Sequence, residues 1–225
     1  MPTVNEILES ARDWNLLSQR QARETFRSVY RVDGAYILKK FEIPWPVTRF
    51  RRPWEVEHQA LTRLPEGLAP RSFGFSEIIR DGVRTVWLAK EFVPGHTLAV
   101  FAPEDIPLVA SLMGQLHRQL VVTDDASIAN FLKTSDGRMI FLDLGRARLF
   151  NRKHPLFYVQ VGAELAKFRR EGLAWNHALW HSFIRHYFRG FCCSYPVRLF
   201  IKTSCAISTG IRMVRKVVQC KSPRS

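Results

Sequence analysis

Residues 123–147, TDDASIANFLKTSDGRMIFLDLGRA, crowd polar residues into places where a core-building segment would not put them. Asp125 and Asn130 stand in the order D-x-x-x-x-N, and Asp143-Leu144-Gly145 follows directly on an apolar run, 13 residues beyond Asn130. Two short apolar runs, Phe131-Leu132 and residues 139–142, flank a TSDG turn and predict a small hairpin. The segment therefore reads as a loop carrying Asp125 and Asn130, a hairpin, and a carboxylate at the hairpin's end. Such an Asp is held in place by its strand, and Gly145 is expected to let the backbone turn sharply behind it. Asp124, next to Asp125, is a turn residue, or takes the place of Asp125 if the register slips by one; the D-x-x-x-x-N spacing favours Asp125.

Working upstream, FRSVYRVDGAYILKKFEI places two runs of β-branched and aromatic residues around Asp33-Gly34, the strongest short hairpin signal a chain can carry. A loop rich in Pro and Arg, PWPVTRFRRPW, leads into residues 55–64, where Val56, Ala60, Leu61 and Leu64 recur at helical spacing behind the helix starter Pro53. The segment SFGFSEIIRDGVRTVWLAKEFV repeats the hairpin pattern around Asp81-Gly82. Residues 1–24 read as a polar, partly helical lead in which Ile7, Leu8, Ala11 and Trp14 share one face. About four strands and one helix are thus expected before Pro94-Gly95 breaks the chain. Beyond it, residues 103–120 form an amphipathic helix with Ile106, Val109, Leu112, Met113, Leu116 and Leu120 on one side, and residues 160–188 are mainly helical. His117 reads as a packed residue of that first helix rather than a ligand.

The 225 residues suit one large domain or two small lobes, and 46% hydrophobic with 24% charged residues excludes disorder for most of the chain. Lys+Arg 34 against Asp+Glu 20 gives +14 at pH 7, so anionic partners are expected. The charge is uneven: no Asp or Glu follows Glu171, while nine Lys or Arg lie between Arg185 and Arg224. All four Cys fall in this tail without zinc-type spacing, and they read as reduced, small apolar residues. Neither an apolar run of membrane-spanning length nor a signal-peptide pattern appears, which predicts a cytoplasmic protein.

The residue types at 125, 130 and 143 suit phosphoryl transfer. A carboxylate must accept or orient the proton of an attacking hydroxyl, which fits Asp125. Mg²⁺ takes hard oxygen ligands and bridges phosphates, which fits Asn130 and Asp143. The same chemistry needs a strand cation beside the phosphates and a helix carboxylate to hold it. Lys39 with Glu57 is the first choice, and Lys40 with Glu55 the neighbouring alternative, since adjacent strand residues face opposite ways. Residues 90–95, KEFVPG, fit a strand-to-helix link in which Glu91 and Phe92 would bind adenine of ATP through backbone groups.

At this point the chain resembles the protein-kinase-like superfamily, and within it the bacterial lipopolysaccharide kinases that act on core heptose or Kdo sugars. The resemblance spans residues 26–148 and lies in VYRVDGAYILKKF, WEVEHQALTRL, VWLAKEFVPGHTL, VASLMGQLHRQLVVTDDASIANFL and MIFLDLGRARLF. It implies an α+β fold of two lobes: a small antiparallel-sheet lobe over residues 1–92, a short helical catalytic lobe over 93–190, and a basic tail over 191–225. It assigns Lys39 the phosphate lysine, Glu57 its helix partner, Asp125 the catalytic base, and Asn130 and Asp143 the metal ligands. The chain departs from the family pattern in three places. No G-x-G-x-x-G precedes the first hairpin, so phosphate covering falls to backbone amides or to Arg20, Arg23 or Arg27. Thr123 stands where His is usual, and Ala129 where Gly is frequent.

The expected activity is Mg²⁺-dependent transfer of the γ-phosphoryl group of ATP to a sugar hydroxyl, foremost of lipopolysaccharide core heptose. The alternatives are a degenerate nucleotide-binding scaffold at the membrane and a small-molecule or protein kinase of the same fold. Arg49, Arg51 and Arg52 are either a solvated loop face or contacts for an anionic sugar acceptor. The tail over residues 197–218 mixes apolar and basic positions, as an interfacial helix on the inner face of the cytoplasmic membrane would, or a core helix with a basic outer face. Nucleic acid ranks last as a partner, because the chain has no recognisable nucleic-acid-binding signature.

Overall fold

The computed structural model describes residues 1–22, 25–46, 52–173 and 176–221, the last twelve of these by their backbone alone. The chain opens with α1 (Val4–Ser10), whose N-terminus carries a reciprocal cap between Thr3 and Glu6. Five strands and one helix follow: β1 (Trp14–Ala22), β2 (Thr25–Val32), β3 (Tyr36–Pro44), α2 (Pro53–Arg63), β4 (Ser72–Arg80) and β5 (Val83–Glu91). The strands form an antiparallel sheet in the order β1-β2-β3-β5-β4. At both Asp-Gly turns the two residues have positive φ, with Asp33 at 48° and Gly34 at 65°, and Asp81 at 50° and Gly82 at 71°. Short polar residues and glycine tolerate this backbone, which is why the dipeptides end the strands there.

One expectation is corrected. The polar lead is helical only over Val4–Ser10; Trp14 begins an edge strand, and the sheet has five strands rather than about four. Residues 14–21 are all exposed, so the alternation that betrays a half-buried strand is missing from them. The strand is held by its ladder to β2 and by a ring cluster in which Trp14 meets Tyr30 at 5.5 Å and Trp87 at 5.7 Å.

Both faces of the sheet's centre are covered. On one, Leu38 and Ala89 pack with Val4 and Ile7 of α1; on the other, Phe41, Ile43, Val86 and Leu88 pack against Trp54 of α2. This double burial explains why both faces of β3 and β5 carry apolar residues.

The second half is helical around a small sheet. It comprises β6 (Gly95–Thr97), α3 (Ile106–Arg118), β7 (Val121–Val122), a 3₁₀ turn at Ile128–Asn130, β8 (Phe131–Thr134), β9 (Met139–Phe141), β10 (Arg148–Leu149), α4 (Pro155–Glu171), α5 (His177–Phe191) and α6 (Tyr195–Lys221). Its large core joins α3, α4 and α5 through Met113, Leu116, Phe157, Leu165, Phe183 and Tyr187. Among the described residues the chain is thus α+β, with a five-stranded antiparallel sheet and six helices in an arrangement compatible with two lobes.

The start of α6 lies on α4. Ile201, Ser204 and Cys205 are buried, and Gly162 of α4 permits the contact, since a Cβ there would stand 2.6 Å from Ser204 Cβ. Leu199, Phe200 and Ile207 of α6 are exposed. Among the described residues no helix is long and apolar enough to cross a membrane.

Candidate functional site

The central strand β3 points Lys39 toward α2 and Lys40 the other way, as strand alternation requires. Lys39 Nζ donates to both carboxylate oxygens of Glu57, at 2.6 and 2.7 Å, and the two side chains are 4% and 1% exposed. Lys40 instead pairs with Glu42 at 2.7 Å and lies over the Trp87 ring, while Glu55 accepts from Arg52 at 2.7 Å on the surface. Of the two registers left open by the sequence, the one joining Lys39 to Glu57 is realised.

The ion pair reaches across to the second half of the chain. Lys39 Nζ also stands 3.2 Å from Asp143 Oδ1, and Arg27 of β2 donates to Asp143 Oδ2 at 3.0 Å. Burial works against ionisation of Asp143, but the charges of Lys39, Arg27 and Lys90 together outweigh it and hold the carboxyl far below its ordinary pKa. Gly145 follows for a different reason from the one expected. Its φ is not positive; instead, a Cβ there would lie 3.3 Å from Asp143 Oδ1, 3.4 Å from Pro53 Cβ and 3.5 Å from Glu57 Oε2. Only the contact with Asp143 is tighter than ordinary packing, and the Gly145 N–H donates to Asp143 Oδ1 at 3.1 Å.

Asn130 ends the 3₁₀ turn, and its backbone carbonyl accepts from the Leu142 N–H at 2.9 Å, which ties the loop to the chain entering Asp143. Its side-chain N–H donates to the Asp125 carbonyl at 2.8 Å, so the amide oxygen stays available. Asp125, Asn130 and Asp143 line one cleft of about 630 Å³ together with Arg20, Arg27, Glu57 and Arg146. The Asp125 carboxylate lies 3.6 Å from Arg146 Nη1 and 3.7 Å from Lys167 Nζ. Asp124 has φ 58° and pairs with Arg148 at 3.4 Å, and it is not one of the residues that line the cleft.

Two participants escaped the sequence reading. Lys90, on β5, is buried and donates to Glu57 Oε1 at 2.9 Å and to the Leu142 carbonyl at 2.5 Å, joining the helix carboxylate to the strand that leads into Asp143. Glu164, on α4, accepts from the Thr123 hydroxyl and, at 3.3 Å, from the Thr123 N–H, and shares a 2.6 Å hydrogen bond with His117 Nε2. His117 Nδ1 meets the Tyr187 hydroxyl at 2.7 Å, so the packed histidine completes a buried network beneath the Asp125 loop. Neither residue carries a sequence signal, because a lysine in a strand and a glutamate in a helix ordinarily face water.

The remaining candidates lie apart from the cleft or outside the described residues. Arg49 and Arg51 are outside them, and Arg52 is engaged by Glu55. Glu91 and Phe92 sit where β5 ends. The Glu91 N–H donates to the Arg71 carbonyl at 2.9 Å and the Phe92 N–H to the Ala35 carbonyl at 2.8 Å, while Arg31 lies 4.1 Å from the Phe92 ring centre. Both amides are therefore engaged within the chain.

No family model and no curated protein matches the chain. Among solved structures it is similar to the crystal structure of WbdD, with 16% identity and a TM-score of 0.47, covering 85% of this chain and 50% of that one. The chain thus spans about half the length of that protein.

Proposed function

We propose that the chain is a phosphotransferase of the protein-kinase-like kind that moves the γ-phosphoryl group of ATP to a sugar hydroxyl. The observation that carries the reading is the buried Lys39–Glu57 pair standing against Asp143 at the mouth of a cleft shared with Asn130 and Asp125. A lysine fixed by a helix carboxylate beside an ionised aspartate is what binding and orienting a phosphate chain requires.

The donors fit Mg²⁺ in kind. Asp143 and Asn130 offer hard oxygens, and this ion is held by one or two protein carboxylates with phosphates and water completing its shell. The ion would neutralise charge on the phosphates when bound. Lys39 would hold the phosphate chain, Asn130 and Asp143 would hold the ion, and Asp125 would orient the acceptor hydroxyl and take its proton. Arg146 and Lys167, 3.6 and 3.7 Å from the Asp125 carboxylate, would attract an anionic acceptor.

The acceptor we propose is lipopolysaccharide core heptose or another anionic sugar, reached from the inner face of the cytoplasmic membrane. The +14 charge, the basic residues in the sequence of α6 and its exposed Leu199, Phe200 and Ile207 support that surface. A second reading, a scaffold that binds nucleotide without turning it over, has one observation in its favour: both Asp143 oxygens are already held by cations. Incubation with γ-labelled ATP, Mg²⁺ and dephosphorylated lipopolysaccharide cores separates the two. Label on the sugar from the parent protein, lost in Asp143→Ala and Asp125→Ala of unchanged circular dichroism, is the expected result. Full turnover by either variant overturns the site assignment, and nucleotide binding without transfer to any acceptor favours the scaffold.

A further inference from the structure

The β1–β2 segment has no glycine between Trp14 and Val32, so its sequence offers no glycine-rich loop for phosphates. Arginine side chains face the cleft instead. Arg20 of β1 stands directly opposite Arg27 of β2 in the antiparallel register, and both line the cleft with Asp125, Asn130 and Asp143. Like charges opposite one another on neighbouring strands destabilise a sheet, and Asp143 offsets only the Arg27 member of this pair. Arg27 is moreover only partly satisfied: one terminal N–H reaches Asp143, while its buried Nε has no hydrogen-bond partner. Around it, Arg27, Lys39 and Lys90 face the carboxylates of Glu57 and Asp143, and Arg20 adds a further positive charge at the mouth. The lining itself is balanced, with Arg20, Arg27 and Arg146 against Glu57, Asp125 and Asp143, and the buried Lys39 and Lys90 behind it tip the site positive, with a spare guanidinium donor at Arg27 Nε.

We propose that Arg20 and Arg27 form a phosphate-chain subsite, in which the two guanidinium groups grip the phosphates of a nucleoside triphosphate from the sheet side, replacing backbone donors. Guanidinium groups suit this task because their N–H fork matches phosphate oxygens two at a time. Arg27 has a resting partner in Asp143 and a better one in an arriving phosphate, so occupation of the subsite also frees Asp143 Oδ2. The nucleotide as source rests on the phosphotransferase reading above; the phosphate chemistry itself rests on the arginines.

The test is equilibrium binding to the full chain by calorimetry with EDTA present, using inorganic tripolyphosphate, ATP, adenosine and a sugar monophosphate as probes. The variants are Arg20→Gln, Arg27→Gln, Arg27→Lys and the double Gln variant, with Arg80→Gln at the exposed second hairpin as control. Tripolyphosphate and ATP affinities should fall about tenfold or more in each Gln variant, as loss of a charged hydrogen bond implies, with Arg27→Lys in between and Arg80→Gln unchanged. Adenosine binding should not change. Arg20 is exposed, so its variant keeps the test sound if Arg27→Gln fails to fold. Unchanged tripolyphosphate affinity in the double variant overturns the subsite, and a loss confined to the sugar monophosphate overturns the nucleotide as its ligand. Arginine-dependent tripolyphosphate binding without any phosphoryl transfer sustains the subsite and counts against the phosphotransferase reading alone.

Discussion

Replacing Lys90 by Met examines the electrostatics of the cleft through folding rather than activity. Lys90 Nζ is enclosed between Glu57 and the Leu142 carbonyl, and burial lowers its pKa from 10.5 to about 8, the charge of Glu57 opposing the shift and that of Lys39 adding to it. Between about pH 8 and 10.5 the unfolded chain holds a proton at this residue that the folded chain has released. Stability must therefore rise with pH through that window, and the contribution is flat below it. The difference between 10.5 and about 8 corresponds to roughly 3 kcal/mol, at about 1.4 kcal/mol for each tenfold change in proton affinity. Methionine keeps most of the aliphatic stem and carries no charge, so the variant lacks this term. Urea unfolding of both proteins, followed by tryptophan fluorescence from about pH 7 to about pH 10.5, isolates it, because groups common to both cancel in the difference. The difference should move in favour of the parent by roughly 3 kcal/mol across the window. At about pH 7 the variant should lose little, since deleting a buried lysine also removes its desolvation cost. A difference that stays constant within about 0.5 kcal/mol over the whole range would refute the reasoning.

Two further outcomes concern the support beneath the site. Glu164→Gln leaves the Thr123 donors and His117 facing a neutral amide in a fully buried pocket, which should cost about 1–3 kcal/mol and speed hydrogen exchange at the Thr123 amide; exchange as slow as in the parent would show that Glu164 does not hold the loop. At Gly114, where α3 crosses α5, a Cβ would stand 2.5 Å from the Tyr187 carbonyl and 2.8 Å from the Phe191 nitrogen. Gly114→Ala should therefore push the helices apart at about 1–3 kcal/mol, lowering Tm by several degrees in a scanning-calorimetry trace; an unchanged Tm would contradict the close approach.

The hairpins around Asp33-Gly34 and Asp81-Gly82, the start of α2 at Pro53 and the order of Asp125, Asn130 and Asp143 were all legible in the chain, because each depends on a local backbone preference or a short spacing. β1 was not, since an exposed edge strand leaves no alternation of apolar and polar residues, and its hold on the sheet comes from partners on β2 and β5. Lys90 and Glu164 were equally silent. A buried charge has the same letter as a solvated one, and only the packing that encloses it reveals the difference.

The sequence by itself determined which segments pair as hairpins, which helices are amphipathic, and which acidic and amide residues stand at the end of a strand or in the loop before it. Those properties follow from dihedral preference and hydrophobic period, which act over a few residues. Tertiary structure alone decided that Lys39 rather than Lys40 faces Glu57, that Arg27 reaches Asp143 across 116 positions, and that Lys90 ties α2 to the chain before Asp143. The cause is physical: a charge removed from water must find an opposite charge wherever the fold brings one within about 3 Å, and sequence distance does not enter that requirement.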